Sequence, residues 1–350
     1  MEVFMKRLSR RVIGCASSIA FFGFIIASGI TLVAHRFVKE FSHSHVTLDQ
    51  DQFTWDMPVG EAEPPGAFRR RLTMQTRDGI ILQGEFWSQP HPVPTVILCH
   101  GYRVPIRHLQ SVAALEYRSG YNILLFDFRG HGESARAVIS GGNAEVYDLE
   151  AAVKTASQQP ETLPGKLILH GFSMGASVAL LLPPHPDVAA IIADSAYARL
   201  DTILQRLTHY QLSAESMSWH RFFHCLRGGI PAFCWAAVVV SRLVFRLRFG
   251  YALIARPDRS FKRWGTRSNA ASHLCPRPIL LIHCTHDSLI PLSHAHQLAA
   301  RAQAHHVPIE TYFVEHGSHC GAYGSNPERY VQRLQQFVAL HIGDHYPFTS

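Results

Sequence analysis

Charge is scarce in this chain: only 17% of its 350 residues are Asp, Glu, Lys or Arg, against 47% hydrophobic. That balance excludes a disordered solvating chain and supplies enough apolar surface for a sizeable core. No internal repeat and no low-complexity tract is visible, which excludes solenoids and arrays. The seven cysteines are odd in number and show no C-x-x-C spacing, so neither a zinc ribbon nor a thioredoxin-like motif is present. Histidine is plentiful, at 23, yet the pairs His294/His296 and His305/His306 have no carboxylate cluster around them in sequence. No metal and no organic cofactor is expected. The formal charge of +7 comes without a nucleic-acid-binding motif. The basic residues gather near the N-terminus, at Arg69–Arg71 and between Arg242 and Arg267, and are read as a face toward an anionic membrane.

The first residues suggest where the chain sits. From Val12 to Ala34 it reads VIGCASSIAFFGFIIASGITLVA, without a charged side chain. At helical rise this segment spans roughly 30 Å, the thickness of the bilayer hydrocarbon. Lys6, Arg7, Arg10 and Arg11 precede it, so residues 1–11 are expected to be a cytoplasmic tail and 12–34 a single-pass anchor. A cleaved signal peptide is the competing reading, but its apolar core would be unusually long. Residues 35–67 read as a stalk, and the bulk of the chain is expected outside the cytoplasm.

Beyond residue 68 the pattern changes to short apolar runs separated by helical stretches. "RRRLTMQT" and "IILQGEFW" predict two strands joined by an Asp78–Gly79 turn. Further strands are expected at Thr95–Cys99, Asn122–Asp127, Leu167–His170, Val188–Ala193, Ile279–His283 and Ile309–Val314. Helices are expected at His108–Arg118, Ala144–Ser157, Ser293–Ala302 and Glu328–His341. The alternation predicts an α/β fold, with a mostly parallel sheet covered by helices on both faces. Residues of about 197–267 hold no strand signal over far more than a normal connection. Their apolar stretch "IPAFCWAAVVVSRLVFRLRF" is expected to be a helical cap insertion. Only 11 residues separate Ile230 from the arginines, too few for a second span.

One stretch carries chemistry. In "KLILHGFSMGASVALLL", Lys166–Leu182, a strand gives way to a small-residue helix through Gly171-Phe172-Ser173-Met174-Gly175. This is G-x-S-x-G, the pattern of a nucleophile elbow. Glycine at both flanks relieves crowding about the serine and tolerates positive φ. Four other stretches accompany it in order: "VILCHGYR" ending in Tyr102-Arg103, "LLFDFRGHGES" from Leu124, "PILLIHCTHDSLIP" carrying Asp287, and "FVEHGSHCGAY" carrying His319. His100, Asp127, Arg129 and His131 are expected to brace these turns. Glu145 and Asp148 are read as acidic residues at the positive end of a helix.

From about Phe68 to Leu340, the five motifs closely resemble the α/β-hydrolase superfamily. The D-x-R-G-H-G-x-S turn is similar to that of its bacterial serine hydrolases. The resemblance implies an α/β-hydrolase domain over residues 68–345, with Ser173 as nucleophile, Asp287 as acid and His319 as base. It also implies an oxyanion hole from the backbone N–H groups of Tyr102 and Met174. Asp194 is the alternative acid and His316 the alternative histidine. The expected activity is hydrolysis of an ester, thioester or amide through an acyl-enzyme, on a small-molecule or lipid-like acyl substrate. A peptidase or acyltransferase could use the same three residues. A catalytically silent fold serving as a membrane-tethered binding protein would have no need of all three.

Overall fold

The computed structural model describes residues 23–24, 26–42, 67–214, 230–266 and 277–343. The expected tail, about half of the expected anchor and residues 43–66 of the expected stalk lie outside them. What is described there is helical. Residues 26–42 form one helix that runs past Ala34, where the sequence reading changes from anchor to stalk. Its continuation is physically reasonable, since no Gly or Pro interrupts residues 31–42 and Arg36 pairs with Glu40 one turn on, at 2.8 Å. Among the described residues no helix is long and apolar enough to cross a membrane.

Two compact units are distinguished. One joins the N-terminal residues up to Phe41 with Leu204–Ala252, and the other comprises Ser42–Ile203 and Leu253 onward. The separate segment is thus narrower than the expected 197–267 insertion, because Tyr197–Ile203 and Leu253–Thr266 belong with the larger unit.

The larger unit is built on an eight-stranded sheet in the order β1-β2-β4-β3-β5-β6-β7-β8. Its strands are β1 (Phe68–Gln75), β2 (Ile81–Ser88), β3 (Val93–Cys99), β4 (Asn122–Phe126), β5 (Thr162–Phe172), β6 (Val188–Asp194), β7 (Ile279–Cys284) and β8 (Ile309–Val314). β2 pairs antiparallel with β1 and β4, while every other neighbour is parallel. The hairpin turns where expected, with Gly79 at φ +85° and the Asp78 carboxylate accepting from Thr76 Oγ1.

Strand periodicity divides the core between the two faces. Val96, Leu98, Ile123, Ile168, Ile192 and Leu280 share one cluster with residues of α1 (Gln110–Arg118) and α9 (Pro327–Ile342). The parallel strands are apolar on both faces, so they read as continuous hydrophobic runs rather than alternating ones. The chain also forms α2 (Glu145–Ser157), α3 (Met174–Leu181), α4 (Leu200–Ala214), α5 (Ile230–Phe249), α6 (Pro257–Thr266), α7 (Ser293–Ala304) and the single turn α8 (Ala322–Ser325). Register then positions the site. Phe172 pairs with Asp194, Asp194 with Ile282, and Cys284 with Val314, so β5 to β8 all end along one edge. That carboxyl edge is where open α/β sheets bind ligands.

Candidate active site

Ser173 occupies the single residue between β5 and α3, with φ 54° and ψ −112°. This is a costly backbone for a residue with a side chain. The flanking glycines serve sterically, and neither has positive φ. A Cβ on Gly175 would run into the carbonyl of Cys99 and toward that of His100, at the end of β3. One on Gly171 would stand 2.5 Å from the backbone of Gly175 and Ala176. The crowding anticipated from sequence is therefore present, but the positive φ falls on the serine itself. The Ser173 amide donates to the carbonyl of Asp194 at 2.8 Å, which fixes the turn against β6.

Ser173, His319 and Asp287 come together across 146 residues of sequence. His319 Nε2 lies 2.9 Å from Ser173 Oγ, and His319 Nδ1 lies 2.7 Å from Asp287 Oδ2. All three residues are buried. The other carboxylate oxygen of Asp287 accepts the amides of Leu289 and Ile290, at 3.0 and 2.7 Å. One carboxylate thus caps its own turn and orients the imidazole. With Nδ1–H donated to Asp287, Nε2 is left to accept from the serine hydroxyl. Such a chain can deliver a serine oxygen to an electrophile while its proton passes to the imidazole.

The alternatives weighed from sequence lie elsewhere. His316 is exposed and stacks on His286. Asp194 is buried, but its carboxylate accepts from Ser195 Oγ at 2.9 Å and from Tyr330 OH at 3.2 Å. Burial pushes its pKa up to about 6, despite the Ser195 hydrogen bond that opposes the shift. Ser195 Oγ in turn accepts the amide of Cys320, the residue after His319. Asp194 therefore steadies both sides of the site: its carbonyl holds the serine turn, and its carboxylate holds the histidine loop. Behind it, Tyr330 OH meets His170 Nε2 at 3.0 Å, and His170 Nδ1 meets Glu116 Oε1 at 2.7 Å. Sequence reasoning missed Ser195, Tyr330, His170 and Glu116. The one available signal was polar His170 inside the apolar strand.

The turn after β3 is held by the D-x-R-G-H-G-x-S segment. Asp127 accepts the amides of Ile106 and Glu133, and His131 Nε2 accepts the amide of Arg103. His100 Nε2 accepts the amide of Phe128. Each ring therefore directs Nδ1–H to a carbonyl, that of Gly101 for His100 and of Arg129 for His131. Both imidazoles are neutral in this arrangement. Burial lowers His100 to about 4 and His131 to about 3, and the neighbouring His100 ring reinforces the latter. Gly132, at φ +46°, is a glycine because a Cβ there would overlap the Asp127 carboxylate.

Arg129 binds Asp148 through Nε and Nη2, and Asp78 through both terminal nitrogens. Burial works against its charge, but the two carboxylates outweigh burial and raise its pKa. Asp148 is thus an arginine partner rather than a simple helix-dipole residue. Glu145 accepts from Ser140 and Gly142 in the preceding loop.

The residues expected to supply oxyanion donors flank the serine turn in sequence and topology. Tyr102 lies in the turn after β3, and Met174 is the first residue of α3. The Met174 amide belongs to the first helical turn, whose N–H groups have no intrahelical acceptor. Among the described residues no group of three or more His, Cys, Asp or Glu side chains is placed to hold a metal ion. His294 Nδ1 instead accepts the amide of Ala198.

Known proteins resemble this chain to different extents. The chain is 28% identical over 258 residues to uncharacterized protein YqkD of Bacillus subtilis, covering 71% of this chain and 72% of that one. It is 24% identical over 272 residues to uncharacterized protein YfhR of Escherichia coli K12, covering 75% and 78% of the two chains. The solved structure of the Pyrococcus furiosus esterase Pf2001 superposes with a TM-score of 0.60 at 22% identity, over 82% of this chain and 98% of that one. At that identity the likeness is one of fold. A family model extends the match through residues 96–333, well over half of the sequence, and the chain belongs to the alpha/beta hydrolase family.

Proposed function

We propose that this protein is a membrane-anchored serine hydrolase that cleaves an ester, thioester or amide through an acyl-enzyme formed on Ser173. The hydrogen-bonded chain from Ser173 Oγ through His319 to Asp287 carries the reading. Ser173 Oγ attacks the acyl carbon as His319 Nε2 takes its proton. Asp287 holds Nδ1–H and stabilises the imidazolium that forms. The amides of Tyr102 and Met174 receive the developing oxyanion, a contribution of about 3 kcal/mol for a typical single donor. His319 then returns the proton to the leaving group. A water activated by the same imidazole releases the acyl group and regenerates the serine. The strained Ser173 backbone supports this role, since such conformations cluster where geometry serves chemistry.

The esterase described for Pf2001 supports an acyl substrate, and the uncharged segment Val12–Ala34 supports the anchor. Turnover of short p-nitrophenyl esters by the full chain tests the chemistry. Ser173→Ala should abolish it while the thermal midpoint is preserved. Substantial residual turnover in that variant would assign the attack to another group.

A further inference from the structure

The unit that contains α5 presents its apolar surface the wrong way round for a solvated helix. α5 buries Cys234, Ala237, Val238, Ser241 and Phe245. Its opposite face should then be polar. Instead Trp235, Val239, Leu243 and Leu247 are 59%, 41%, 57% and 78% exposed. They recur every fourth residue and so follow one another along a single helix face. These four and Phe24, Ile26 and Leu32 account for seven of the eleven exposed large apolar side chains among the described residues. The other four, Phe68, Ile81, Ile254 and Leu340, belong to the much larger unit. The exposed apolar surface is therefore concentrated, and concentration of this kind marks an interaction surface.

Charge identifies the occupant. α5 has no Asp or Glu in its 20 residues, and its second half carries Arg242, Arg246 and Arg248. Arg246, three residues after Leu243 and seven after Val239, is exposed on the same face as the apolar row, while Arg248 is exposed at the end of the helix. A tryptophan, aliphatic side chains and Arg246 on one exposed face, flanked by half-buried Arg242 and followed by Arg248 at the helix end, match the two zones of an anionic bilayer: acyl chains below, phosphates at the level of the guanidinium groups. We propose that α5 lies in the plane of an anionic phospholipid surface, with Trp235, Val239, Leu243 and Leu247 among the acyl chains and its arginines at the headgroups. This docking rests on no part of the serine chemistry. It would add a contact along the membrane to the anchor proposed for residues 12–34.

The test uses the full chain in nanodiscs of phosphatidylcholine, with and without phosphatidylserine. Lipids brominated at shallow or deep acyl positions report contact with tryptophan. The Trp235 signal is the difference between the wild type and Trp235→Phe. Bromolipid quenching of that signal is expected, together with protection from aqueous acrylamide. Leu247→Trp in the Trp235→Phe background should be quenched at the same shallow depth, because an in-plane helix keeps both ends level. A spanning helix would separate the two positions by about 18 Å in depth. Replacing Arg242, Arg246 and Arg248 by Gln should remove the dependence of quenching on phosphatidylserine. Acrylamide access without bromolipid quenching, or unequal depths, would overturn the proposal. If the chain proves not to be anchored, Trp235-dependent quenching on added anionic vesicles still supports the docking, and its absence there refutes it.

Discussion

Acidification should destabilise this protein through two buried rings, His100 and His131. Each accepts a backbone amide at Nε2 and donates Nδ1–H to a carbonyl, so a second proton would break an N–H hydrogen bond inside the core. Burial holds the folded pKa values near 4 and 3, against an ordinary 6.5. Below pH 6.5 the unfolded chain binds protons that the folded chain refuses. The histidine contribution is therefore complete above 6.5 and declines as pH falls toward the folded values. From 6.5 to 5 the loss is about 2 kcal/mol for each ring. Asp194 works in the opposite sense, because its folded pKa is raised to about 6 and the folded state takes up its proton first. It returns about 1 kcal/mol by pH 5, leaving a net loss of about 3 kcal/mol from these three groups. In a 350-residue chain a loss of that size lowers the midpoint of thermal unfolding by about 4 °C. The assay is the thermal midpoint of the full chain in detergent at pH 7 and pH 5, for the wild type and His131→Gln. The variant retains a donor and an acceptor but cannot titrate, so it should lose about 2 kcal/mol less than the wild type between pH 7 and pH 5. An equal pH dependence in both proteins would refute the neutral-ring assignment.

Two further expectations concern the site and the anchor. Asp287→Asn should lower kcat for p-nitrophenyl esters by roughly 10³–10⁴-fold, because an amide at this position favours the wrong imidazole tautomer. Asp194→Asn should lower it less than about tenfold, since the amide oxygen can still accept from Ser195, whose own oxygen holds the Cys320 amide beside His319; steady-state kinetics reversing that order would make Asp194 the acid. The intact chain should remain in the membrane fraction after carbonate extraction, with external protease reaching residues 35–66. A soluble chain beginning near Ile30 or His35 would identify a cleaved signal instead.

Local rules were sufficient for the strands, the Asp78–Gly79 turn and the serine turn, because each depends on a few adjacent residues. G-x-S-x-G anticipated steric crowding correctly, since the clash involves the end of β3, which any such strand-to-helix turn approaches. It did not reveal that Ser173 bears the positive φ, which depends on how the turn is held against β6. The link from Glu116 through His170 and Tyr330 to Asp194 was not legible. Its members are brought together only by sheet register and by helices on the same face, and no spacing encodes them. Asp148 illustrates the same limit. An acidic residue near a helix start has a sufficient local explanation, while its arginine partner lies 19 residues away in a turn. The extent of the separate unit was also hidden, because it joins residues near the N-terminus with a segment more than 160 residues later.

The most direct measurement is the site of covalent modification by a fluorophosphonate. This reagent phosphonylates a serine whose proton is taken by a neighbouring base. Peptide mass spectrometry on the labelled full chain should find one adduct, on Ser173. The adduct should be absent from Ser173→Ala and formed far more slowly in His319→Ala, with both variants retaining the wild-type thermal midpoint. An unlabelled Ser173 in folded protein, or an adduct on a different residue, would contradict the assignment of Ser173 as the nucleophile.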